Sequence, residues 1–141
     1  MRVRRKEPRV DRILVATDRS ETAERAVRFA ADMAERYDAE LLVLRVLVGD
    51  DGVRAAQEEL AAHAARVAGE RGRAAVVVDE DPAAAIVAAA ERERADVIVI
   101  GSVGMSGRRE FLLRNVPNRV SHAAPCTVVI VQTHDRRTKR R

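Results

Sequence analysis

The chain has 141 residues, 47% of them hydrophobic and only 2% aromatic, with 26 Lys and Arg against 22 Asp and Glu for a net charge of +4. That length suits one domain with an aliphatic core and excludes two ordinary ones. The lone Cys126 excludes an internal disulfide, and no apolar stretch approaches the roughly 20 residues of a membrane span.

The charge is unevenly placed. Residues 1–12 carry a net +4 and residues 134–141 another +4, so the body between them is mildly acidic at −4. We expect a basic arm over 1–10, a folded domain over 11–133 and a basic tail over 134–141. Solvated ends explain such arms better than nucleic-acid binding does, because Phe29, Tyr37 and Phe111 are too few to build a stacking platform. The basic start Met1-Arg2-Val3-Arg4-Arg5-Lys6 has no signal-like apolar segment behind it, so a cytoplasmic location is expected.

The first strand is Ile13-Leu14-Val15-Ala16, a continuous apolar run suited to a buried parallel strand. After Thr17-Asp18-Arg19-Ser20, the apolar positions Ala23, Ala26, Val27, Ala30, Met33, Ala34 and Tyr37 recur with helical period, and Ser20 is the expected N-cap. A second strand runs from Leu41 to Val48. A second helix follows, with its stripe at Val53, Ala56, Leu60, Ala61, Ala64, Val67 and Ala68 and its end near Gly69 or Gly72.

Val76-Val77-Val78 predicts a short third strand. Asp81-Pro82 opens a third helix that buries Ile86, Val87 and Ala90. Asp96-Val97-Ile98-Val99-Ile100 is the fourth strand and leads into Gly101-Ser102-Val103-Gly104. A last helix is expected from about Asn115 to His122. Ala124-Pro125 ends it before a fifth strand, Thr127 to Val131. Strands alternating with helices on short links predict an α/β fold, a doubly wound five-stranded parallel sheet with helices on both faces.

Ligands of such sheets bind beyond the carboxyl ends of the strands, where the strand order reverses. Thr17 and Asp18 stand at one such end, able either to cap the helix or to touch a ligand. Gly101 and Gly104 stand at another, as a simple turn or as a loop whose backbone approaches phosphate. The glycines follow the fourth strand, so they are not a Rossmann fingerprint, and no Gly-Lys-Ser/Thr marks a P-loop. His63, His122 and His134 lack metal-site spacing, and no nucleophile with an adjacent base is visible, so no enzyme activity is expected.

Two separated stretches carry a resemblance. Ile13 through Glu21 resembles the opening of the universal stress proteins. Asp96 through Gly104, Leu113-Arg114-Asn115-Val116-Pro117 and Ala124-Pro125-Cys126-Thr127-Val128 resemble their closing third. The resemblance implies a flavodoxin-like strand order 3-2-1-4-5 and an ATP-binding regulator or sensor of the stress response. It places the base and ribose at Ala16, Thr17, Asp18 and Val46, and the phosphates at Gly101, Gly104, Arg114, Asn115 and Val116, with Mg2+ accompanying the ATP.

The family's phosphate motif carries a third glycine where this chain has Arg114, and a serine or threonine where it has Asn115. Asn115 remains a competent helix cap. Arg114 is either a cation beside the phosphates or an obstruction where glycine lets them approach. The resemblance also implies a homodimer through Thr127 to Val131. The alternative function is a dimeric interaction module of the same fold that binds no nucleotide.

Overall fold

Every residue of Ile13-Leu14-Val15-Ala16 is buried, which fits a strand covered by helices on both faces. It forms the centre of the sheet as β1, Arg12–Ala16. The computed structural model describes residues 9–102 and 116–133, so the arms at 1–8 and 134–141 and the segment 103–115 lie outside the described residues. After β1 come α1 (Glu21–Tyr37), β2 (Glu40–Leu47), α2 (Val53–Ala68), a 3-10 turn (Gly69–Arg71) and β3 (Gly72–Val78). The chain continues through α3 (Pro82–Glu93), β4 (Val97–Gly101), α4 (Val116–Ala123) and β5 (Thr127–Val131).

The five strands are parallel in the order β3-β2-β1-β4-β5, the order expected. Alternate side chains of the central strands feed two aliphatic layers. Ile13, Val15, Leu41, Val43, Val97 and Val99 pack under α1 and α2. Leu14, Ala16, Leu42, Leu44, Ile98 and Ile100 pack under α3 and α4. Fully burying one such Leu or Ile contributes about 1.5–3 kcal/mol, so aliphatic side chains alone can hold this sheet.

Local signals act where the sequence places them. Ser20 Oγ accepts from the Ala23 amide and caps α1, and Asp81 Oδ1 accepts from the Ala84 amide at the start of α3. Gly69 ends α2 with a φ of 59°, a conformation that favours glycine.

Three expectations need correction. β3 begins at Gly72, four residues before Val76, because the ladder to β2 starts at the pair Leu41↔Gly72 and overrides the poor strand propensity of Gly-Arg-Ala-Ala. A side chain at Gly72 would collide with the Ala64 carbonyl, so α2 lies directly against this end of β3. Tyr37 is 56% exposed rather than buried, since it occupies the last turn of α1. Ala61 is exposed as well, and His63 takes the buried position beside Leu60 and Ala64.

Candidate functional site

β1 is outrun by both of its neighbours, and this creates the crevice. Its register with β2 closes at Ala16↔Leu44, while β2 continues to Leu47. Its register with β4 closes at Val15↔Val99, while β4 continues to Gly101. The strand connections diverge to opposite sides of the sheet between β1 and β4, the place where open α/β sheets bind ligands.

Backbone direction shows what faces this space. Successive residues of a strand aim their N–H and C=O groups alternately at the two neighbouring strands. Leu44 O accepts from the Thr17 amide on the β1 side, and Leu47 O accepts from the Asp79 amide on the β3 side. Val46 is in phase with Leu44, so its backbone groups point toward β1 at a level where β1 has already ended. On the other wall the Ser102 amide donates to Val131 O on β5. Gly101, one residue earlier, therefore directs its backbone toward β1. Two strand ends thus converge over the floor formed by Thr17 and Asp18.

The floor is a tight turn. Thr17 is 1% exposed, and its Oγ1 accepts from the Arg19 amide at 3.0 Å. Asp18 Oδ1 accepts from the Ser20 amide at 2.9 Å. Since Ser20 itself caps α1, Asp18 spends one oxygen on the turn, and Oδ2 has no partner among the described residues. A carboxylate oxygen there can accept hydroxyl hydrogen bonds from a sugar.

Arg19 sits between these residues with a φ of 65°. That left-handed conformation costs a residue other than glycine about 1–2 kcal/mol. Its guanidinium is held between Glu24 and Glu59, and Nε is buried with no acceptor among the described residues. Behind it, His63 Nε2 lies 3.1 Å from Glu24 Oε1 without the alignment of a good hydrogen bond. Burial pushes the His63 pKa down; the Glu24 carboxylate opposes this, and Arg19 and Arg66 add to it.

Of the residues expected to bind a nucleotide, Ala16, Thr17, Asp18, Val46 and Gly101 are brought to one end of the sheet. Ala16, Val46 and Val116 also share the layer under α3 and α4. Gly104, Arg114 and Asn115 lie outside the described residues. Sequence reasoning passed over Arg19, whose partners sit on two different helices. It also passed over Ser102, which donates to Gln132 Oε1 at 2.9 Å and accepts from the Thr133 amide, closing the far rim. Polar residues directly after β4 and β5 were the available signal.

Among the described residues no helix is long and apolar enough to cross a membrane, and no cluster of His, Cys, Asp and Glu could hold a metal ion.

The family model described as the universal stress protein family matches residues 9–132. Universal stress protein Rv1636 of Mycobacterium tuberculosis is 32% identical over 140 residues, covering 86% of this chain and 95% of that protein. Universal stress protein MJ0531 of Methanocaldococcus jannaschii is 28% identical over 138 residues, covering 86% and 81% respectively. Among solved structures, a universal stress protein in complex with cAMP superposes with a TM-score of 0.73 at 28% identity, covering 89% of this chain and 99% of that one. A universal stress protein from Archaeoglobus fulgidus in complex with dAMP gives 0.67 at 25% identity, covering 89% and 100%.

Proposed function

The chain belongs to the universal stress protein family, and from that premise we propose that it binds an adenine nucleotide over Thr17 and Asp18 and serves as a regulator or sensor of the stress response, not as a catalyst. The observation that carries this reading is the convergence of the Val46 and Gly101 backbones on the open end of β1. N–H and C=O groups that point past the end of β1 suit the edge of a base, and Asp18 Oδ2 suits a ribose hydroxyl. Two structural neighbours, one in complex with cAMP and one with dAMP, support an adenine ligand.

ATP is the ligand that the Gly101-x-x-Gly104 spacing favours, with Arg114 as the cation beside its phosphates. The described crevice offers a single carboxylate oxygen toward a metal, so Mg2+ would be held by the phosphates rather than by a protein cage. The hydroxyls around the crevice favour binding over turnover, since those of Thr17, Ser20 and Ser102 each accept a hydrogen bond from a backbone amide and so hold turns. The direct test is to purify the protein without added ligand, denature it and identify what is released. An adenine nucleotide supports the proposal. An empty crevice that also refuses added nucleotide favours the interaction module.

A further inference from the structure

Arg19 connects the crevice floor to both helices of one face. Its Nη1 lies 3.3 Å from Glu24 Oε1 on α1, and its Nη2 lies 3.5 Å from Glu59 Oε2 on α2. The second oxygen of Glu59 is 3.9 Å from Nη1 of Arg45, the residue directly before Val46. One run of alternating charges therefore links the turn under the crevice to the wall beside it. The Arg19 side chain is 20% exposed and Glu24 22%, so part of this run is shielded from solvent.

We infer that Arg19, Glu24 and Glu59 are positioning residues, a brace that fixes Thr17 and Asp18 relative to Val46 so that the crevice is shaped before a ligand arrives. The inference rests on the reading that this crevice binds an adenine nucleotide. Bulk stability does not need the brace, because Ser20 already caps α1 and the two aliphatic layers close without it. The pairs to Glu59, whose side chain is 52% exposed, contribute little to folding. Their geometry does constrain Arg19, whose left-handed backbone carries the amide that closes the turn on Thr17 Oγ1. Glycine adopts that backbone more easily, and an arginine there gains a fork that reaches carboxylates on two helices at once.

Arg19→Gly separates the two roles, since glycine accepts the φ without strain and removes the guanidinium. Calorimetry with AMP and with adenosine, beside a thermal melt, reads both. The brace predicts a melting temperature close to the parent's and about tenfold weaker binding of either probe, equal for the two because the floor faces base and ribose. Glu24→Gln combined with Glu59→Gln should weaken binding in the same direction, and Arg19→Lys should recover part of the loss. Unchanged affinity in Arg19→Gly overturns the brace, as does a loss that merely follows unfolding.

Amide exchange at Arg19 and Ser20 reports without any ligand. Faster exchange in Glu24→Gln combined with Glu59→Gln, which leaves residues 19 and 20 unchanged, supports the brace even if the parent binds neither probe, in which case the nucleotide reading alone falls. Unchanged exchange overturns the brace.

Discussion

Arg119 on α4 grips Asp81 at the head of α3 with two hydrogen bonds, Nη1 to Oδ1 at 3.0 Å and Nη2 to Oδ2 at 2.9 Å. The same carboxylate caps α3 through the Ala84 amide. One side chain thus starts one helix and anchors another, and the anchored helix begins at Val116, next to the Arg114-Asn115 pair expected at the phosphates. Asp81→Ala should lower stability by about 1 kcal/mol, the usual value of a lost cap, with the exposed ion pair adding little. Denaturant unfolding measures it.

The fork also sets a pH dependence. The hydrogen bond from Arg119, followed by that from the Ala84 amide, holds the Asp81 carboxyl below its ordinary pKa. The unfolded chain therefore binds this proton more readily than the folded one. The contribution of Asp81 is fully present above the ordinary carboxylate range and is lost as pH falls through the lowered value. Arg119→Gln should flatten the acid limb of a stability profile.

Asp18 and Ser20 separate binding from folding. Asp18→Asn keeps an oxygen for the Ser20 amide but replaces the one that faces the crevice, and loss of one charged hydrogen bond should weaken adenine-nucleotide binding by about 1.5–3 kcal/mol. Because Ser20 is the cap, the melt should change little. Ser20→Ala should do the opposite, costing about 1 kcal/mol of stability with affinity largely kept. Calorimetry and a melt on each variant check the pair.

His63 has the reverse chemistry and the same sign. Its lowered pKa means that the unfolded chain takes up a proton below 6.5 while the folded chain resists it. Its contribution to stability is present above 6.5 and declines as pH falls below that value. Unfolding at about pH 7.5 and about pH 5.5 should show a larger loss in the parent than in His63→Gln. Equal losses would remove His63 from the acid response.

β5 lies at the edge of the sheet, and Ile130 on it is 47% exposed. An uncovered apolar edge strand is a ready surface for pairing, and a second copy across a two-fold axis is the expected occupant. Light scattering at micromolar concentration should give a dimer mass, and Ile130→Lys should shift it toward the monomer with the melt retained.

Much of this was legible in the sequence. The apolar runs of β1 and β4, the Ser20 cap and the Asp81-Pro82 start each act locally, so residue type and spacing revealed them. The first four residues of β3 did not show, because nothing in Gly-Arg-Ala-Ala prefers a strand and only the ladder to β2 extends them. Thr17 and Asp18 were readable as polar groups at a strand end. Their division of labour with Ser20 was not, since it depends on which amide each oxygen meets. The directions of the Val46 and Gly101 backbones follow from register, and register is a tertiary property. Arg19 was invisible for a similar reason, its two carboxylate partners being 5 and 40 residues away on different helices.

Nucleotide binding over β1 is tested most directly by titrating the full chain, freed of any bound ligand, with ATP and Mg2+ and separately with GTP and Mg2+. A base edge read by the Val46 backbone predicts saturable binding of one ATP per chain and much weaker binding of GTP, with adenosine alone still bound. Absence of binding by ATP, AMP and adenosine at millimolar concentration would contradict it.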